Sequence, residues 1–283
     1  HHRASINMHT LQFGLNALEK LNDAFEKVYF ITGNHDLYYR DKRDIHSVEW
    51  AKHLKNVVIV DHFIEEGNCV IAPWLCGDDY KLLKKKKGKY LFAHLELPYF
   101  YMNAMIEMPD HGETNADHLG HFDKVFSGHF HKRQAKKNIW YMGNAFPHNY
   151  ADAGDDARGM MVLGWDEEPE FHSWPNQPVY RVYKLSEVLD NPEGLLIKNA
   201  HVRVHLDIDI SYEESNFIRE QLIPEYQLRE MSLIPVKSDE HAQDLAPGEI
   251  SFESVDSIII EQIKNIESDF YDKSVLLEIY QSI

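Results

Sequence analysis

Short apolar runs, each followed by a polar or glycine-containing stretch, recur along the first two thirds of the chain. The first run, Val28-Tyr29-Phe30-Ile31-Thr32, stops at Gly33. Such runs, rich in β-branched and aromatic residues and without alternation, are typical of strands buried on both faces. We therefore predict buried strands at residues 28–32, 57–60, 69–72, 90–93, 124–127, 139–142 and 159–165.

Helical periodicity is strongest near the start of the chain. Leucines at 11, 15, 18 and 21 are close to helical spacing and predict an amphipathic helix over residues 11–25. A second helix is predicted at residues 47–54. Because the alternation of strand and helix weakens after His46, we expect a mixed sheet and not a purely parallel one. The predicted fold class is α/β (α+β), layered and flanked by helices.

The last third of the chain has a different pattern. Residues 169–178, rich in Pro, Asn and Trp, predict a linker or a closing loop, and a strand is predicted at 180–185. Strict alternation predicts a half-buried strand at 201–210, and Ser211 with Glu214 in the first turn predicts a capped helix over 211–222. With a strand at 231–236, this forms a small β-α-β domain.

The segments after that β-α-β domain complete the predicted organisation. Residues 237–249 are polar, with Pro and Gly, and predict a linker. Residues 255–283 predict acidic helical segments. The predicted domains are therefore 1–178, a capping domain at 179–237, and a linker with a helical tail at 238–283.

Composition excludes several classes of protein. The chain is 43% hydrophobic and 27% charged, which indicates a globular protein. No apolar stretch approaches 18 residues, so we expect no membrane span, and the given residues show no leader. Cys69 and Cys76 flank an apolar run, which favours buried core thiols in a reducing cytoplasm over a disulfide or a metal pair. We therefore expect a cytoplasmic protein, located in the host cytoplasm if the chain comes from a phage.

The net charge of −17 is unevenly distributed, since residues 1–150 are close to neutral and residues 151–283 carry the excess acid. A nearly neutral part tolerates a phosphate backbone, whereas the acidic part repels one. Most of the 18 histidines also fall in residues 1–150. Their clustering favours metal or acid–base chemistry there.

Residues with metal-binding chemistry follow three of the predicted strands. The candidate ligands are an amide and three imidazoles: Asn34, His94, His129 and His131. His35 is interpreted as an acid or transition-state stabiliser, and Asp36 as the carboxylate that fixes its tautomer. Each residue alone is explained by an ordinary turn or a hydrogen-bonded surface histidine. Their common position at strand ends favours a site for two metals that clamp a phosphoryl group.

The order of these motifs resembles the calcineurin-like metallophosphoesterase superfamily. Over residues 1 to about 175 it resembles, more closely, the nuclease subunit of the SbcC–SbcD and phage recombination exonuclease class. The stretches that carry the resemblance are 32–39, 72–76, 93–97, 127–131 and 141–144. It implies a layered β-sandwich and a nuclease with two Mn ions, Mg being possible. Asn34, His94 and His129 then match ligands of one metal, His131 a ligand of the other, and His35 the catalytic histidine.

The resemblance also implies Asp-x-His and Gly-Asp-x-x-Asp motifs before Gly33, and the given residues carry neither there. The stretches Asp44-Ile45-His46, Gly77-Asp78-Asp79 and Gly154-Asp155-Asp156 are out of order and are interpreted as unrelated. We therefore expect residue 1 to lie inside a domain. Because neutral ligands do not offset two divalent cations, we expect this chain alone to bind at most one metal weakly and to be nearly inactive.

Partners are predicted on the same basis. Four basic residues that follow the candidate metal loop, residues 128–131, are candidates for phosphate contacts with DNA: Lys132, Arg133, Lys136 and Lys137. The lysine run at 81–89 is better explained as a solvated loop. The resemblance implies an SbcC-type ATPase that binds the acidic tail, the alternative being a helix packed on its own domain. It also implies a homodimer formed through the first helix.

Three functional hypotheses remain open from the sequence. The first is the nuclease subunit of an ATPase–nuclease complex in DNA repair, recombination or phage replication. The second is another metallophosphoesterase, such as a phosphatase. The third is a truncated, inactive scaffold subunit.

Overall fold

The computed structural model describes residues 5–103, 106–110 and 114–235, together with 263, 273 and 275–277. Contacts divide the chain into two compact units, His1–Pro235 and Val236–Ile283. The predicted linker at 237–249 lies outside the described residues, as does most of the predicted tail, of which residues 263, 273 and 275–277 are helical. The predicted division into three domains stays a prediction.

The first unit combines short strands with few helices, which confirms the mixed α/β class. Its described helices are α1 (Met8–Ala24), α2 (Asp79–Leu83), α3 (Leu185–Asp190), α4 (Pro192–Leu195) and α5 (Tyr212–Glu225). Its described strands up to the candidate metal loop are β1 (Val28–Ile31), β2 (Val57–Val60), β3 (Ile64–Glu66), β4 (Cys69–Ile71), β5 (Tyr90–His94) and β6 (Lys124–Gly128). The later ones are β7 (Gln134–Lys136), β8 (Ile139–Tyr141), β9 (Gly159–Val162), β10 (Glu170–Ser173), β11 (Val179–Lys184), β12 (Ala200–Leu206) and β13 (Glu230–Pro235).

Six of these strands form the main sheet, in the order β3-β4-β5-β6-β8-β7. The four inner strands run parallel, and the edge strands β3 and β7 are antiparallel to their neighbours. The prediction of a mixed sheet is therefore confirmed. Its hydrophobic core includes Val70, Leu91, Val125 and Ile139, all fully buried, which explains why the inner strands are mostly apolar.

A separate parallel pair, β1 and β2, carries the first polar motif at its end. The helix α1 begins after Asn7, whose side chain accepts a hydrogen bond from the Thr10 amide at 2.8 Å. Leu18 of this helix joins Val57 and Ile59 of β2 in a small core cluster. Packing of the helix on β2 therefore supports the strand that holds the motif.

The capping region forms a three-stranded parallel sheet, β11-β12-β13, whose strands lie at the predicted positions 180–185, 201–210 and 231–236. The predicted strand at 201–210 ends at Leu206. Asp207 turns away to accept hydrogen bonds from the amide and hydroxyl of Ser186 at 3.0 and 2.5 Å. The predicted cap of α5 is confirmed, since Ser211 and Glu214 each bond the other's backbone amide.

Three local predictions were wrong. Residues 169–178 contain strand β10, which pairs antiparallel with β9, so this segment is not wholly a linker. The predicted helix at 47–54 is a short 3-10 turn over Glu49–His53. The edge strands β3 and β7 were not predicted at all.

Cys69 and Cys76 are free thiols and half-buried, where core burial was predicted. In the described part of the chain, no helix combines the length and apolarity that crossing a bilayer requires.

Candidate metal centre

Three strands bring their carboxyl ends to one place. His94 closes β5 and is the register partner of Gly128, which closes β6. Gly33 follows β1 by two residues, and a Cβ built on it would lie 2.8 Å from Cε1 of His94. The ends of β1, β5 and β6 therefore meet around the His94 ring, as expected for ligands at the carboxyl edge of a layered sheet.

Two glycines make room for the His94 imidazole. A Cβ on Gly128 would lie 3.0 Å from Nδ1 of His94, and one on Gly33 would lie 2.8 Å from Cε1 of the same ring. Neither glycine adopts a positive φ, so the requirement is close approach of the ring and not backbone conformation. The glycines of two separate motifs thus serve one histidine.

Asn34 and His94 present their polar atoms to each other. Asn34 Oδ1 lies 3.3 Å from His94 Nε2. Burial, together with the neighbouring His129 and His35, lowers the pKa of His94 to about 3. His94 is therefore a neutral imidazole at pH 7, which is the form that binds metal.

His129 occupies a strained position beside this pair. Its φ is +90°, a left-handed conformation that a non-glycine residue rarely adopts. The ring lies 5.2 Å from that of His94 and 5.1 Å from that of Trp74, and Nε2 lies 3.0 Å from Glu96 Oε2. Burial lowers the pKa of His129, and the Glu96 carboxylate opposes the shift. Glu96 orients this imidazole as a supporting carboxylate does around a metal ligand.

His131 is turned toward a different group of residues. Its ring lies 5.9 Å from that of His148, and its backbone carbonyl accepts a hydrogen bond from the Asn144 amide at 3.0 Å. Removal of part of the ring from water lowers the pKa of His131, and the nearby Asp152 opposes that shift. His131 therefore lies at the margin of the cluster formed by Asn34, His94 and His129.

His35 follows Asn34 directly and is exposed. Its charge acts on the pKa values of Asp36, His94, His129 and His131. The Asp36 carboxylate accepts a hydrogen bond from the Gly33 amide at 2.8 Å, and burial raises the pKa of this carboxyl group. Asp36 thereby stabilises the turn that presents Asn34 and His35.

The donor set fits part of one metal site. Two ligands at about 2.1 Å from a shared ion, at near right angles, are about 3 Å apart, which is close to the Asn34–His94 separation. Within the described residues, however, no group of three or more His, Cys, Asp or Glu side chains is arranged to hold a metal ion. The described residues thus fit two ligands of one ion, Asn34 and His94, with His129 packed beside them, and they do not by themselves fit a pair of ions.

The four predicted phosphate-binding residues have contacts within the chain. Lys132 lies over the Tyr101 ring at 4.8 Å, and the Arg133 guanidinium lies over Phe171 at 3.5 Å. Lys136 bonds the Tyr99 carbonyl, and Lys137 pairs with Asp117 at 2.5 Å. All four lie in the segment that directly follows residues 128–131, which carry two of the candidate metal ligands. Their role in DNA binding stays a prediction.

The out-of-order motifs contribute to local structure. His46 is buried, with Nε2 3.0 Å from Glu49. Asp79 pairs with Arg43, and Asp156 binds Arg181 through both carboxylate oxygens. These hydrogen bonds and ion pairs account for the three residues, so no bound ligand is needed to explain them.

Several residues of the site were not singled out from the sequence. Glu96 and Trp74 contact the ligand histidines, and Asp152 with Arg158 supports the loop that carries His148. Glu96 follows His94 by two residues, so its proximity to the site was detectable. Nothing in the local sequence pairs Asp152 with Arg158.

The chain is similar to one curated phage protein, and no family model matches it. The similarity is 29% identity over 175 residues with "Exonuclease subunit 1" of Enterobacteria phage T4. The match covers 59% of this chain and 50% of the phage protein. The chain thus spans about half the length of the curated relative that it matches.

Proposed function

We propose that this chain is a subunit of a metal-dependent DNA nuclease that acts in recombination, repair or phage replication. The observation that carries the proposal is the meeting of Asn34, His94 and His129 where three strands end. The similarity to a phage exonuclease subunit supports the choice of a nuclease among phosphoesterases.

Each residue has a role in this proposal. Asn34, His94 and His129 hold one Mn ion, or Mg in its place, and His131 faces a second ion position. A divalent cation at this place polarises a phosphodiester and favours attack by water. His35, exposed and within electrostatic reach of the ligands, donates a proton or a hydrogen bond to the phosphate oxygens. Glu96 and Trp74 keep the imidazoles in place.

Cleavage of DNA by the wild type and by a His35 variant tests the proposal. We expect the purified chain with Mn²⁺ to cleave end-labelled DNA slowly, and His35→Ala to reduce that cleavage by about 100-fold, as loss of an acid–base residue does. His62→Ala is the matched control, because this exposed histidine lies outside the site. Cleavage that is unaffected by His35→Ala would contradict the proposal.

Two other results would favour the alternative hypotheses. Hydrolysis of p-nitrophenyl phosphate without cleavage of DNA would indicate a phosphatase. Absence of both activities and of Mn²⁺ binding would favour a scaffold subunit. The supporting observation is that the described residues hold no group of three His, Cys, Asp or Glu side chains arranged for a metal ion.

Partner binding belongs to the same proposal. An SbcC-type ATPase would bind the acidic tail at 238–283, most of which lies outside the described residues. Association with a second copy is supported by α1, where Phe13 and Leu21 are exposed at 70% and 40%. Large exposed apolar side chains on one helix are typical of an interface.

Charge placed on α1 tests the association. We expect Phe13→Glu combined with Leu21→Glu to shift the protein from dimer to monomer, because a carboxylate on each copy opposes burial of the interface. Light scattering after size exclusion measures the mass. Phe217→Glu, on the exposed face of α5, is the matched control and should leave the mass unchanged. A wild-type monomer would contradict the prediction.

A further inference from the structure

An open cavity of about 440 Å³ lies between two loops of the first unit and is lined by aromatic and amide side chains. Its lining residues include Phe146, Trp174, Asn176 and Gln177. Phe146 and Trp174 are 45% and 40% exposed, so each presents part of its ring to solvent. Pro175 and Pro178 restrict the backbone of one wall. The cavity is therefore a rigid aromatic recess with amide groups at its edge.

A chain of ring contacts links the recess to His131, at the margin of the candidate metal centre. Phe146 packs against His148, with ring centroids 5.4 Å apart, and His148 packs against His131 at 5.9 Å. The Asn144 amide bonds the His131 carbonyl at 3.0 Å, which joins the loop of Phe146 to the metal loop. The ring of His148 thus contacts both His131 and Phe146, which lines the recess.

The recess presents an uncharged surface to a ligand, since none of the residues that line it is acidic or basic. Nearby acids on the chain are paired, but Asp152 and Asp155 share one arginine, Arg158, while Asp156 binds Arg181. One carboxylate charge is therefore left in excess beside the recess. Arg133 lies over Phe171, on the strand that leads into Trp174. An uncharged aromatic lining therefore suits the base of a nucleotide, which carries no charge, and not its phosphate.

We infer that this recess binds one unpaired nucleobase at the end of the DNA strand whose phosphodiester lies at the metal centre. Stacking on Phe146 and Trp174 supplies an interaction that every base can make, and Asn176 offers hydrogen bonds to the base edge. The volume suits a single nucleoside and not a helix of a partner protein. The inference rests on the proposed nuclease function and adds that the enzyme holds a single-stranded end.

A fluorescent base tests the inference without catalysis. We use the full chain in EDTA with a short single-stranded oligonucleotide that carries 2-aminopurine at its terminal position. Stacking on an aromatic ring quenches this base, so we expect the wild-type protein to quench it. Phe146→Leu and Trp174→Leu keep apolar volume and remove the ring face. Each should weaken oligonucleotide binding about five- to tenfold and relieve the quenching.

The controls separate this inference from the proposed function. Phe217→Leu removes an exposed aromatic ring far along the chain and should bind as the wild type does. If the wild type binds and cleaves DNA but both ring variants quench and bind normally, the base site is overturned and the nuclease proposal stands. If the wild type neither binds nor cleaves DNA, both are overturned. If the wild type also quenches 2-aminopurine placed at an internal position of the oligonucleotide, a site for the strand end is contradicted.

Discussion

Replacing Asp152 by alanine is expected to reduce the free energy of unfolding by about 3–5 kcal/mol, the range typical of removing one partner of a buried ion pair. Asp152 and Arg158 are both fully buried, and Arg158 Nη2 lies 3.0 Å from Asp152 Oδ1. Arg158 Nε and Nη1 have no hydrogen-bond partner among the described residues. Loss of Asp152 therefore leaves a buried guanidinium with Asp155, at 3.1 Å, as its remaining carboxylate. Urea denaturation followed by circular dichroism measures the change.

The second carboxylate oxygen of Asp152 connects stability to the site. It accepts hydrogen bonds from the His148 amide at 3.0 Å and from the Asn144 side chain at 3.3 Å. Asp152→Ala combined with Arg158→Met removes both charges and should recover only part of the stability, because these two bonds stay lost. A single variant as stable as the wild type would show that the pair contributes nothing.

The buried strands were predictable because burial favours continuous apolar runs. Val57–Val60 was predicted at its observed bounds, and the strand ending at His94 was predicted one residue short. Each is a continuous apolar run closed by a residue that cannot continue it, so the signal is local. Edge strands such as β3 and β7 carry charged and polar residues and three positions each, which leaves no such signal.

Long-range pairing explains the wrong predictions. Strand β10 exists because Glu170 to Ser173 pair with β9, whereas their polar composition alone resembles a loop. The alternation of residues 201–210 continues past Leu206, and the strand stops because Asp207 binds Ser186, a residue 21 positions earlier. A local pattern carries no information on either partner.

The candidate site divides in the same way. Asn34, His94 and His129 were predicted from their positions at strand ends, and the structure brings them together. The contact of Glu96 with His129 and the stacking of Trp74 on both imidazoles depend on three-dimensional packing. The two glycines around His94 were recognised as parts of motifs, but their common purpose appears only once β5 and β6 are paired.

Removal of the His94 imidazole is expected to weaken Mn²⁺ binding by at least about 100-fold, the upper range for loss of residues that only support a metal ligand. His94 is the residue on which the other groups converge, since Asn34 Oδ1 lies 3.3 Å from its Nε2 and His129 packs against its ring. Isothermal titration calorimetry of His94→Ala with Mn²⁺ measures the affinity. His62→Ala, which removes an exposed imidazole elsewhere, should bind Mn²⁺ as the wild type does.

Gly33→Ala separates the position of the ligand from its presence. This variant retains Asn34, His94 and His129, but its Cβ would lie 2.8 Å from Cε1 of His94, so the ring must move. We expect Mn²⁺ affinity to fall about tenfold, less than on removal of the ring, because a displaced imidazole keeps its lone pair but loses its alignment with Asn34. Thermal unfolding of the metal-free protein checks that both variants are folded. If Gly33→Ala and His94→Ala both bind Mn²⁺ with wild-type affinity, the ion binds elsewhere and the metal centre proposed at these strand ends is wrong.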